Sequence, residues 1–311
     1  MRNQSLLTVG LCIFLIAADW PQWQGPNRDN ISLDKGLLKS WPPAGPKLVW
    51  TYKNAGLGYS SSAVVGDRLY MTGARDGSEF VYALDLKLTP PQQLWAVKIG
   101  PLFTTKTTKQ WGDGPRIAPT VDGDRVYALG GFGDLVCIDA KKGVEKWRKN
   151  LPKEMNAEVN PIGGGPEKVG WGFAWAPLVD DKQLICVPGG PDGTLAALDK
   201  LTGNALWRSK ELTEQASYSS PIVATFDGVR QYIIATNNGL HGVEAKTGKV
   251  LWNYARAYKD VLIPTPIAGK NQVYIAVGFA EGCDLIKVSK SGDAFKAQKV
   301  FANKIMKNDL G

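Results

Sequence analysis

The sequence has one histidine, His241, and four cysteines, none adjacent to another and none in a Cys-x-x-Cys-His arrangement. A single imidazole leaves no repeated His-based metal pattern, and a Ser-His-Asp relay would have to run through His241. No Gly-x-Ser-x-Gly turn is present to raise a nucleophile. The Gly-rich run at 163–166 is not followed by Lys-Ser or Lys-Thr, so it reads as a loop and not as a phosphate cradle. Without the haem-attachment motif there is no resident relay for electrons. His241 falls in a strand-like stretch and reads as structural.

Long apolar runs are missing too. The stretch Leu6 to Ala18, broken only by Thr8 and Gly10, is too short to cross a bilayer as a helix. Arg2 precedes it and a small residue ends it, so residues 1–18 are expected to be a secretory signal peptide cleaved after Ala18. Leu11 stands before Cys12 where a lipoprotein anchor would have a small residue. Cleavage leaves Cys137, Cys186 and Cys283, an odd number, widely spaced and each in an apolar stretch. They read as three buried thiols and not a disulfide framework, with one pair left open in an oxidising compartment. The formal net charge is +8, but the lysines are scattered singly and form no dense run. No nucleic-acid partner is expected without a concentrated basic face.

What the chain does have is 35 Gly, 19 Pro and 11 Trp. That mixture favours many short strands joined by tight turns. Three segments share one spacing: LVCIDAKKGVEKW (135–147), LAALDKLTGNALW (195–207) and LHGVEAKTGKVLW (240–252). In each, an acidic residue (Asp139, Asp199, Glu244) precedes a glycine (Gly143, Gly203, Gly248) by four, and a tryptophan (Trp147, Trp207, Trp252) follows four later. A looser copy carries Asp85 and Trp95. The acidic side chain suits the backbone N–H groups of a turn, and glycine supplies positive φ. Small residues (Ala83, Cys137, Ala197, Gly242) two before the acidic position leave room for the Trp. Such a Trp buries on the order of 150–250 Å² between sheets.

Upstream of each copy lies a strand–turn–strand pattern, as in YSSSAVVGDRLYMTG (59–73) and YSSPIVATFDGVRQYIIAT (218–236). Each unit therefore reads as four strands. The third ends at the acidic residue and the fourth carries the Trp. Four-stranded units recurring every 45–60 residues predict an all-β chain folded as a β-propeller. No Trp is followed by Asp and no Gly-His recurs, which removes the WD class; the Tyr-to-Trp spacing of kelch repeats is also missing.

The acidic-x-x-x-Gly-x-x-x-Trp unit resembles the PQQ (pyrroloquinoline quinone) repeat of quinoprotein dehydrogenases and of the BamB-like propellers of outer-membrane barrel assembly. The opening DWPQWQGPNRDNIS, with WGDGPR and WGFAWAPLV later, resembles exported bacterial propellers of this kind, over nearly all of residues 19–300. Five complete blades are expected, near 59–99, 116–151, 174–212, 218–256 and 262–303. An N-terminal extension (19–44) precedes a propeller over 45–311. Residues 45–53, with Trp50, resemble an outermost strand of a sixth blade begun elsewhere. The chain is expected to be a truncated propeller of seven or eight blades, because the last unit lacks the Asp-Gly-Trp spacing and a propeller must close.

Loops leading into the first strand of each blade share one face with those between its second and third strands. Two are long: 100–116, with Trp111, Asp113 and Arg116, and 152–174, with Glu158, Asn160, Glu167 and Trp171. This is the candidate binding face, since loops on a rigid scaffold carry function. The resemblance implies two further possibilities. Alcohol-oxidising quinoproteins hold PQQ with calcium, using a Glu/Asn/Asp set, an Asp base and vicinal cysteines. This chain has no vicinal cysteines, and no residue here is matched to those calcium ligands. The second is a BamB-like role in outer-membrane protein assembly. The sequence favours a non-catalytic scaffold of the cell envelope that binds a protein or small ligand on its long-loop face, periplasmic or secreted.

Overall fold

A computed structural model describes residues 19–162, 167–279 and 281–308; the expected signal peptide and the Gly-rich run at 163–166 lie outside the described residues. Twenty strands form five antiparallel four-stranded sheets, each a meander of consecutive strands. The first holds β1 (Ser62–Val65), β2 (Arg68–Arg75), β3 (Ser78–Asp85) and β4 (Gln92–Pro101). The second holds β5 (Thr120–Asp122), β6 (Arg125–Leu129), β7 (Asp134–Asp139) and β8 (Glu145–Asn150). The third holds β9 (Leu178–Asp180), β10 (Gln183–Cys186), β11 (Ala196–Asp199) and β12 (Ala205–Arg208). The fourth holds β13 (Ile222–Phe226), β14 (Val229–Thr236), β15 (Gly239–Glu244) and β16 (Val250–Ala255). The fifth holds β17 (Ile267–Gly269), β18 (Gln272–Val277), β19 (Gly282–Ser291) and β20 (Ala294–Asn303). Two short helices, α1 (Thr108–Trp111) and α2 (Leu151–Met155), sit in the long loops. Among the described residues no helix is long and apolar enough to cross a membrane.

Each sheet covers the next. Third strands such as β7 (DLVCID) are buried along nearly their whole length, because both faces of the sheet meet a neighbour; such strands read as continuous apolar runs. The fourth strands, such as β8 (EKWRKN), form the outer rim and are mixed in character. The turn joining third to fourth strand is built as its sequence suggests. Asp139 Oδ1 accepts the N–H groups of Lys141 (3.1 Å) and Lys142 (2.8 Å), while Gly143 N–H donates to Asp139 O at 2.9 Å. Asp199 repeats this with Leu201 and Thr202.

The tryptophans bridge sheets. Trp95 donates its indole N–H to Ala140 O of the second sheet (3.2 Å), and Trp147 donates to Lys200 O of the third (3.1 Å). Within its own sheet each Trp stands opposite the small residue: Trp95 opposite Ala83, Trp147 opposite Cys137, Trp207 opposite Ala197 and Trp252 opposite Gly242. Trp50 differs. Residues 45–53 form no strand, because each of the five sheets already has its own fourth strand and offers this segment no ladder.

The N-terminal extension does not stand apart from the blades. Trp20 pairs with Val64 of β1, and Val121 of β5 donates to Pro21 O at 2.8 Å. Arg28 Nη1 donates to Ala176 O (3.2 Å) and Pro221 O (2.9 Å), leading into β9 and β13, and Nη2 donates to Pro177 O. Trp23 donates to Thr265 Oγ1 (3.1 Å), leading into β17. Nine residues thus touch the innermost strand, or the residues entering it, of all five sheets. They fill the centre around which the sheets are arranged.

Candidate functional site

In a four-stranded meander the first-to-second and third-to-fourth turns lie at one end, and the remaining loops at the other. The loop end therefore gathers residues 102–119, 151–162, 167–177, 209–221 and 256–266. Tyr218 shows how they are tied together. Its hydroxyl lies 2.8 Å from Asn160 O and 2.9 Å from Ile162 O, and accepts the Trp171 N–H at 3.1 Å. Burial pushes its phenol up to about 12, so it stays neutral. Asn160 Nδ2 donates to Asn237 Oδ1 (3.0 Å), which links this loop to the fourth sheet. Glu158 takes a 3.4 Å bond from Gln215, and Glu167 accepts the Lys106 N–H at 2.9 Å.

Arg116 joins three segments on this face. Its guanidinium carbon lies 4.9 Å from the Trp171 ring centroid and 5.2 Å from that of Tyr59, so two aromatic rings flank it. Nη2 donates to Gly112 O at 2.7 Å; Nε is buried without a partner. Asp113 is close in sequence, yet its Oδ1 accepts from Thr108 Oγ1 at 2.6 Å. Trp111 is 68% exposed, and its carbonyl accepts from the Tyr59 hydroxyl. Of the four predicted residues, Arg116 and Trp171 are in contact. Asp113 and Trp111 belong to the loop that positions them.

Sequence reasoning missed Tyr59, Tyr218 and Glu79. The two tyrosines open the repeated Tyr-Ser-Ser segments at 59–61 and 218–220, and that recurrence was the available signal. Each pins a long loop through its hydroxyl. Glu79 is 0% exposed; its two carboxylate oxygens accept Phe103 N–H (3.1 Å) and Gly131 N–H (2.9 Å). Burial, against those two bonds, pushes its pKa up to about 7. No pattern marked it, because it sits in an ordinary strand position at the start of β3. His241 is buried, with Nε2 2.8 Å from Thr236 Oγ1 and Nδ1 2.7 Å from Asn253 Oδ1.

The centre of the propeller fits a quinone with calcium poorly. Arg28, 4% exposed, spends its guanidinium on three backbone carbonyls and on Gln22 Oε1 there. Among the described residues no three His, Cys, Asp or Glu side chains gather as a cation site. A cationic side chain in place of a carboxylate set opposes calcium on charge alone.

The family model described as outer membrane protein assembly factor BamB matches residues 78–278. The BamB of Shewanella oneidensis is 23% identical over 227 residues, which cover 70% of this chain and 53% of that protein. This chain therefore spans about half the length of that curated relative. Among solved structures, quinohemoprotein alcohol dehydrogenase from Comamonas testosteroni is similar with a TM-score of 0.56 at 16% identity, covering 92% of this chain and 49% of that one. BamB from Moraxella catarrhalis gives 0.48 at 17%, covering 81% and 62%. The dehydrogenase shares the fold, and the repeats, the five stacked sheets and the matched family model together place this chain in the BamB family of PQQ-type β-propellers.

Proposed function

We propose that the chain is an exported, non-catalytic binding scaffold of the bacterial envelope that engages a protein partner through its loop end. The observation that carries this is the Arg116 cluster. A cation flanked by Tyr59 and Trp171, with Trp111 exposed beside it, stands where the segments leading into β1, β5 and β9 converge on a rigid frame. Aromatic and arginine side chains are the anchors that protein interfaces favour. The contents of the propeller's centre support binding above it, and Arg28 there speaks against the quinone-dependent alternative. Membership of the BamB family supports an outer-membrane assembly component as the partner, and export with it.

Two titrations of the purified chain test this. Pyrroloquinoline quinone, with and without calcium, is expected to give no saturable quenching of tryptophan fluorescence; saturation at low micromolar quinone would promote the dehydrogenase reading. Immobilised barrel-assembly components are expected to retain the wild-type chain and to lose the Trp111→Ala variant. Equal retention of both would sink the loop end as the docking face.

A further inference from the structure

We propose that Arg116 accepts a carboxylate from an acidic segment of the partner protein, a reading that rests on the scaffold function above. Arg116 carries five N–H donors. Among the described residues it makes one hydrogen bond, from Nη2 to Gly112 O, and no ion pair. Three other partly or wholly buried arginines are more fully engaged. Arg28 and Arg208 each hold three carbonyls, and Arg256 pairs with Asp284 and Glu281.

Arg116 is unpaired although two carboxyls lie near it, and the structure shows why. Asp113 is turned to Thr108, and Glu79 is turned to the Phe103 and Gly131 amides. The rings of Tyr59 and Trp171 hold the guanidinium in place, so little rotamer freedom is left to lose on binding. A planar fork that is fixed, desolvated in part and short of acceptors suits a carboxylate, which takes two parallel N–H bonds. The setting favours a segment of protein over a free acid, because Tyr59 and Trp111 stand exposed around the cation and offer area to side chains flanking the acid. The chain's net charge of +8 complements an acidic partner.

Tryptophan fluorescence of the full chain is titrated with the blocked peptide Gly-Ser-Glu-Glu-Ser-Gly, its Gln-Gln counterpart and glutarate. The Glu-Glu peptide is expected to bind saturably and more weakly as salt rises, with glutarate at least tenfold weaker and the Gln-Gln peptide silent. Arg116→Gln is expected to weaken the Glu-Glu peptide at least tenfold. Arg116→Lys keeps the charge without the fork and falls between, which guards against a folding defect in the first variant. A distant control, Lys287→Gln, should leave binding unchanged. Equal binding by Arg116→Gln, or by the Gln-Gln peptide, overturns the proposal. So does a folded wild-type chain that ignores the Glu-Glu peptide, and glutarate as tight as the peptide overturns the protein source. If the peptide fails while Trp111→Ala still loses the assembly components, the carboxylate class falls and the scaffold reading survives; if both fail, both fall.

Discussion

Trp95 in the first sheet rests on Gly143 in the acidic turn of the second, where a Cβ on the glycine would stand 2.6 Å from Trp95 Cγ. Trp147 meets Gly203 in the same way at 2.9 Å, and Trp207 lies on Gly248. The repeat is thus read across two blades: the glycine of one unit is shaped for the tryptophan of the unit before it.

Two costs follow for Gly143→Ala. The backbone has φ +68, which an L side chain resists by about 1–2 kcal/mol. The clash with Trp95 adds overpacking of roughly 1–3 kcal/mol. Gly123→Ala isolates the first cost, since its φ is +56 but nothing lies within 4 Å of the added Cβ. Urea unfolding should show Gly143→Ala clearly the more destabilised; equal midpoints would mean that the indole contact contributes nothing.

Removing Arg28 leaves the carbonyls of Ala176, Pro177 and Pro221 without their donor. Burial lowers its pKa to about 9, still above neutrality, so the side chain enters as a cation. Arg28→Met is expected to cost about 3 kcal/mol, in the range for breaking a buried charged network. A stability within about 0.5 kcal/mol of wild type, the spread of ordinary surface substitutions, would show that the plug is dispensable.

Glu79 gives a pH signature. Its folded pKa of about 7 stands above the ordinary carboxyl value, so the folded state holds a proton that the unfolded state has released. The stabilisation is fully present below the unfolded pKa and is lost as pH rises through about 7. Glu79→Gln is neutral throughout and should flatten this loss, by no more than about 3 kcal/mol between pH 4.5 and 7. Parallel pH profiles for variant and wild type would refute the assignment.

The cysteines allow a chemical check. Cys137, Cys186 and Cys283 are free and buried, and burial pushes the Cys186 thiol up to about 12. Iodoacetamide at neutral pH is expected to spare all three in the folded chain and to label them in urea. Rapid labelling of the native protein would contradict the burial.

Most of the architecture was legible because it depends on local and periodic features. The third strand of each of the first four sheets ends at the acidic residue, and the fourth carries the Trp. Residues 45–53, with Trp50, form no strand beside these five sheets, because strand-like sequence forms a strand only where a neighbouring ladder is free. The loop end was legible in outline, since long insertions are visible as spacing. Its central relationship was not, because Arg116 meets Tyr59 and Trp171 only after three separate segments have been brought together. Glu79 was invisible for a related reason. Its altered acidity comes from the amides of Phe103 and Gly131, which lie 24 and 52 residues away.

The central segment also sets a limit on the order of assembly. Residues 20–28 are made before every sheet they touch, and Trp23 finds Thr265 across 242 positions of chain. Each sheet is a local meander that can form as it is completed, whereas the centre cannot settle until the fifth has arrived. Such long-range closure is slow relative to local pairing. Residues 20–28 therefore find their place only after the sheets that follow them have formed, and until then the inner edges of those five sheets stand open to other chains.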